Sequence, residues 1–212
     1  MITTPIIIET MHSQYNQAVS RLLVDGFRGK FQTLTKLNDD KLALFFEKLL
    51  IHFPDEAGGQ RVVAMQNGEA VGTMALKWKP ESSVDSQAQH RASWQDFNKF
   101  GKWNLLKLLL GLHYLAHQPK ERECYIADIS VQPHHRGKGV GKQLLEWAQH
   151  NMQTLPLVDH LSLHVSANNQ RAKQLYEQLS FRSCSKKNSI MRSLLFNEYE
   201  WDYMIFRSRH NI

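Results

Sequence analysis

Val131-Gln132-Pro133-His134-His135-Arg136-Gly137-Lys138-Gly139-Val140-Gly141-Lys142-Gln143-Leu144-Leu145 joins the end of an apolar run to the start of an amphipathic one. Glycines at alternate positions let a chain turn so that consecutive N–H groups face one concavity. A helix N-terminus then adds partial positive charge, and Arg136, Lys138 and Lys142 add full charges. That combination suits a phosphate or pyrophosphate; a helix cap without a ligand is the plain alternative. A Walker A loop would need a glycine where Arg136 stands and Ser or Thr where Gln143 stands. A dinucleotide fingerprint, G-x-G-x-x-G, does not fit Gly137-x-Gly139-x-Gly141, and no acidic residue closes the next strand. The pattern Arg/Gln-x-x-Gly-x-Gly/Ala does fit, over Arg136 to Gly141.

Outward from the loop, Tyr125 to Val131 reads as a strand closed by Pro133, and 139–151 as a helix with Val140, Leu144, Trp147 and Ala148 inward. Leu161, Leu163 and Val165 alternate with polar residues, giving another strand. Asn168 or Asn169 caps a helix carrying Ala172, Leu175, Tyr176 and Leu179. Two strands follow, near Phe181–Ser185 and Tyr199–Phe206. Arg182, Lys186, Lys187 and Arg192 lie in their connection, which reads as a solvated loop or as an attraction for an acidic acceptor.

Toward the N-terminus, Ile6–Thr10 is a strand. A helix carries Tyr15, Val19, Leu22 and Leu23 and stops at Gly26. A second helix starts at Asn38 or Asp39 and stops at Pro54. Arg61–Met65 and Ala70–Leu76 flank Gln66-Asn67-Gly68-Glu69, a hairpin signal, because Asn-Gly tolerates the positive φ of a tight turn. The polar stretch 79–93 is a loop. Residues 94–117 form a helix, or two split near Gly101 or Gly111, with two apolar stripes. Phe97, Leu105, Leu108, Leu112 and Leu115 make one; Trp103, Leu106, Leu110 and Tyr114 make the other. A surface helix needs only one. The second would cover an acceptor site as a lid or meet a second subunit, making a homodimer through this helix.

The loop, its preceding Ile126-Ala127-Asp128-Ile129-Ser130-Val131 and the following Gln143-Leu144-Leu145 resemble the acyl-CoA motif of the GNAT superfamily of N-acetyltransferases. Asn169-Gln170-Arg171-Ala172-Lys173-Gln174-Leu175-Tyr176, with Leu179-Ser180-Phe181, is similar to that family's Asn-x-x-Ala-x-x-Leu-Tyr-x-x-x-Gly-Phe, Ser180 replacing the usual glycine. The resemblance implies an α/β (α+β) fold: a central mixed, mostly antiparallel sheet of about seven strands flanked by helices. It also implies one domain over residues 1–212, with 79–120 as a helical insertion between strands 3 and 4.

The implied activity is transfer of acetyl from acetyl-CoA to a primary amine by direct attack in a ternary complex. Donor-binding residues would be Ile129, Val131, Arg136, Gly137, Lys138, Gly139, Val140, Gly141, Lys142 and Asn169. Pantetheine would lie along 129–131 and pyrophosphate on the amides of 137–142. Tyr176 would protonate the departing thiolate; a core tyrosine is its plainer role. Asp128 would help deprotonate the amine, or serve as a structural acceptor, and His164 is a second base candidate. The alternative is a non-catalytic acyl-CoA-sensing or binding module of the same fold.

Composition bounds these readings. The chain has 212 residues, 42% hydrophobic, with a formal charge of +6. That supports a folded core and a polyanionic partner, which nucleic acid, membrane or a phosphorylated donor would all satisfy. Thirteen basic against nine acidic residues follow position 119, some around the glycine loop, which favours the donor over nucleic acid. Two cysteines cannot form a disulfide framework. His113 and His117 stand at i, i+4, but no Glu follows His113, so no metal is expected. Met1–Pro5 carries no basic cluster, Ile6–Ile8 is too short for a signal core, and Trp103–Ala116 is too short to span a bilayer. The expectation is a cytoplasmic protein without a membrane span.

Overall fold

Successive residues of a strand face opposite ways, so one sheet can divide two apolar cores. The computed structural model describes residues 4–53, 58–80, 94–155 and 158–207. It contains β1 (Ile7–Thr10), α1 (Asn16–Leu34), α2 (Asp39–His52), β2 (Gly59–Gln66), β3 (Glu69–Trp78), α3 (Lys102–Leu115) and β4 (Glu123–Val131). Then come α4 (Val140–Asn151), β5 (His160–Ser166), α5 (Gln170–Gln178), β6 (Arg182–Asn188), α6 (Ile190–Phe196) and β7 (Glu200–Arg207). Sheet order is β1-β2-β3-β4-β5-β7-β6, antiparallel except for β4 beside β5. The expected mixed, mostly antiparallel sheet flanked by helices is present. Val62 and Ala64 face a core built with Leu144, Leu145 and Tyr176, while Val63 between them faces one built with Val19, Phe31, Phe45 and Leu108.

Local signals account for most boundaries. Asn38 caps α2 by accepting from the Lys41 amide at 3.0 Å. Asn67 and Gly68, at φ 54° and 79°, turn β2 into β3. Gly101, at φ 79°, separates a 3₁₀ turn over Trp94–Phe100 from α3. The readings at Met1–Thr3, at Pro54 and over most of the polar stretch from Glu81 to Ser93 lie outside the described residues.

Two readings need correction. Helix α1 runs through Gly26 to Leu34, because Phe27, Phe31 and Leu34 prolong its apolar face. Gly26 is there for close approach: a Cβ would sit 2.5 Å from Ser130 Oγ, which donates to the Leu22 carbonyl. The connection between the last strands is ordered: Lys186 and Lys187 lie in β6, and Arg192 in α6, whose cap Ser189 accepts from the Arg192 amide.

One feature of the sheet creates the site. β4 and β5 pair over only three positions, Glu123↔His160 to Tyr125↔Ser162. Ala127 is an extra residue against β3, between Leu76↔Ile126 and Ala75↔Asp128. Such a bulge bends its strand. Beyond it β4 and β5 diverge, leaving one edge of each without a neighbour.

Candidate functional site

The divergence opens a cleft of about 490 Å³ lined by Ala127–Ile129 of β4, Leu163–Ser166 of β5, Asn169 and Tyr176. β4 is paired with β3 on its other side, so its backbone groups at 127–131 that face the cleft lack ladder partners. An extended chain with an amide, such as pantetheine, fits that edge.

The glycine loop lies at the C-terminal end of β4. Gly137 and Gly139 take φ 80° and 87°, which side chains disfavour. Gly139 caps α4 without a side-chain bond, so the first α4 amides are free of an intrahelical partner. A Cβ on Gly139 would meet nothing within 4 Å, so the glycine leaves open approach to these amides. Val140 is buried in the core; Lys138 and Lys142 are exposed, Lys142 lying 3.7 Å from Glu146.

Arg136 also braces the loop. Its Nε donates to the Val131 carbonyl at 2.9 Å and Nη2 to the Asp25 carbonyl at 3.0 Å, pinning the loop to β4 and α1. Arg171, which sequence reading passed over, lies beside the loop with Nη2 3.0 Å from where a Gly137 Cβ would be. Its position in the Asn-x-x-Ala block was the available signal.

Asn169 caps α5, its Oδ1 accepting from the Ala172 amide at 3.2 Å, and also borders the cleft. Tyr176, 7% exposed, is held against Phe181 at 5.9 Å between ring centres. Burial pushes its phenol up to about 12, so it stays protonated.

A second cavity, about 600 Å³, lies between α1, α2, β3 and the insertion. Phe27, Phe31, Phe46, Leu49, Trp78 and Leu112 give it an apolar wall. It shares Phe27, Leu115, Tyr125, Ala127 and Asp128 with the first cavity, so the two meet at the bulge. Of the two stripes on α3, the one carrying Leu108 packs inward, with Leu112 and Leu115 on the cavity. Trp103, 77% exposed, faces outward with Leu106 and Leu110.

Asp128 sits at the junction with both oxygens engaged. Arg61 Nη1 and Nη2 donate to them at 2.7 and 2.6 Å, and Nη1 also lies 3.3 Å from Thr73 Oγ1. The Arg61 pairing, across 67 residues of sequence, had no local signal. His164 places Nδ1 3.1 Å from Tyr125 Oη, and burial, with Lys187, His117 and Arg192 nearby, pushes it down to about 3. His113 and His117 do not act as a pair: His113 is exposed on α3, while His117 lies past its end and bonds Glu123. The described residues contain no cluster that could hold a metal, and no helix among them is long and apolar enough to cross a membrane.

A model of the acetyltransferase (GNAT) family matches residues 27–181. The uncharacterized N-acetyltransferase YycN of Bacillus subtilis (strain 168) is 35% identical over 78 residues, 36% of this chain and 49% of that protein. The chain therefore spans about half the length of the curated relative it matches. The ribosomal-protein-S18-alanine N-acetyltransferase of Escherichia coli superposes with a TM-score of 0.57 at 13% identity, covering 98% of this chain and 99% of that one. A putative GNAT acetyltransferase of Desulfovibrio desulfuricans gives 0.60 at 14%, covering 96% and 99%. At these identities the structural likeness is one of fold.

Proposed function

The chain belongs to the acetyltransferase (GNAT) family, and we propose that it transfers acetyl from acetyl-CoA to a primary amine carried on an apolar body. The observation that carries this reading is the meeting of two cavities at Ala127 and Asp128, with Tyr176 on one and the insertion over the other. Donor and acceptor would meet there without a covalent enzyme intermediate.

The donor supplies an activated thioester carbonyl. The free edge of β4 from Ile129 to Val131 holds its arm, and a backbone N–H of that stretch polarises the carbonyl oxygen. The amides from Gly137 to Lys142, with Lys138, Lys142 and Arg171, hold the phosphates. Arg136 contributes by fixing the loop, and Asn169 by contact with the arm. Tyr176 gives its proton to the departing sulfur. Positioning is the largest contribution, because a thiolate leaves readily.

The lining supports this acceptor class. Asp128 is the sole carboxylate among the described residues lining the second cavity, and Arg61 occupies both its oxygens. A polyamine would need free carboxylates; an arylalkyl or alkyl monoamine would not. The same pairing supports the structural role for Asp128 over that of base. Tyr176 in the cleft favours catalysis over a sensing module.

Titration with acetyl-CoA tests the donor half. Wild type should bind in the micromolar range. Gly139→Val should weaken binding by at least tenfold, since it strains a positive φ and fills the approach to the α4 amides. Unchanged affinity would remove the loop from the donor site, and no binding by wild type would remove acetyl-CoA as donor.

A further inference from the structure

His117 stands near the end of the insertion, in the connection from α3 to β4. It follows the last turn of α3 and lines the acceptor cavity. Its Nε2 lies 3.0 and 3.2 Å from the two carboxylate oxygens of Glu123. Glu123 is 1% exposed, yet it also accepts from Ser162 Oγ, from Tyr203 Oη at 2.7 Å and from the Lys120 amide at 2.6 Å. Burial alone would raise its pKa. The hydrogen bonds from His117, Lys120, Ser162 and Tyr203 outweigh that and hold the carboxyl well below its usual range. With Nε2–H donated to this carboxylate, the imidazole lone pair is on Nδ1, which has no hydrogen-bond partner among the described residues. A fixed carboxylate orienting an imidazole, with the other nitrogen toward substrate, is the arrangement of a general base.

We propose that His117 is the base that deprotonates the acceptor amine, and that Glu123 is its positioning residue. The proposal rests on the acyl-transfer reading of the two cavities. The acceptor enters as an ammonium ion, and His117 Nδ1 takes one proton, which leaves to solvent through the cavity mouth. The freed nitrogen lone pair forms the N–C bond to the carbonyl carbon. The C–S bond breaks, sulfur takes the Tyr176 proton, and the remaining proton lost from nitrogen restores the Tyr176 phenol. The net products are an amide, a thiol and one proton.

The surroundings suit a cation formed in turnover. From β4, Glu123 and Tyr125 face His117, the Tyr125 ring at 4.2 Å; from β5, His164 at 5.1 Å; from β7, Tyr203 at 6.2 Å. His164 stays neutral, and Lys187 and Arg192 bring positive charge on its side of the cluster. Glu123 is thus the carboxylate that balances an imidazolium. The other candidates suit the task less: Arg61 holds both oxygens of Asp128, and His164, whose Nε2 also lacks a partner, is made a weak base by burial and by Lys187, His117 and Arg192.

The experiment is a pH–rate profile for acetyl-CoA with arylalkyl primary amines, 2-phenylethylamine first, followed by thiol release. Wild type should lose kcat/KM as pH falls, because the base becomes protonated. His117→Gln should lower kcat about 10²-fold, move that acidic limb up toward the ionisation of the amine itself and leave acetyl-CoA affinity unchanged. Added imidazole should restore turnover to His117→Ala, a response that loss of packing would not show. A His117→Gln variant that keeps both rate and limb overturns the proposal and leaves acyl transfer standing. A wild type that turns over no amine overturns the acyl-transfer reading and this proposal with it.

Discussion

Tyr176 takes its chemistry from where α5 puts it. Burial raises the phenol to about 12, so it carries its proton across the working range. Tyr176→Phe should lower kcat about 10²-fold while changing acetyl-CoA affinity less than twofold; comparable losses in both would mark a packing role. Ser180 is a residue where the local rule is broken. It stands where the resemblance expects glycine and keeps the conformation glycine would take, φ 65°. An L-residue there is strained by about 1 kcal/mol. Ser180→Gly should stabilise the fold by about 0.5–1 kcal/mol, read as a raised denaturant midpoint with unchanged slope. Tyr176, Asn169 and the glycines were legible because each sits in a contiguous motif. The grip of Arg61 on Asp128 was not, because nothing local links β2 to β4 across 67 residues.

Two glycines of α1 show how far an element can be read. Gly26 looked like a helix stop and is a contact point, with Ser130 of β4 against it. Gly29, one turn on, has nothing within 4 Å of its Cβ position. Gly26→Val should therefore destabilise by about 1–3 kcal/mol through overpacking. Gly29→Ala should stabilise by up to about 1 kcal/mol through helix propensity. Thermal melts of the two variants should move in opposite directions, and a shared direction would contradict the packing of α1 on β4. The same limit explains α6. Its seven residues are too few for a clear period, and Phe196 reaches the core only because α1 and α3 are there to receive it. Strands β2 to β5, with alternation or an Asn-Gly turn, were legible within two residues at either end.

For the molecule as a whole, the divergence of β4 from β5 opens one cavity, and the insertion walls the cavity that meets it. The apolar excess of residues 94–117 was visible in the sequence, but its division was not. One stripe walls the second cavity; of the other, Trp103, Leu106 and Leu110 stay on the surface while Tyr114 packs against the core. The charge of +6 likewise resolves by placement. Lys138, Lys142 and Arg171 stand at the glycine loop, while Arg136 braces it. Donor site and apolar acceptor cavity meeting at one bulge is the central claim. Its most direct test is to mix the protein with acetyl-CoA and 2-phenylethylamine and follow free thiol and N-acetylated product together. The account predicts thiol release that depends on the amine and matches the amide one for one. Acetyl-CoA bound with no amine-dependent thiol release, across arylalkyl and alkyl primary amines, would contradict it.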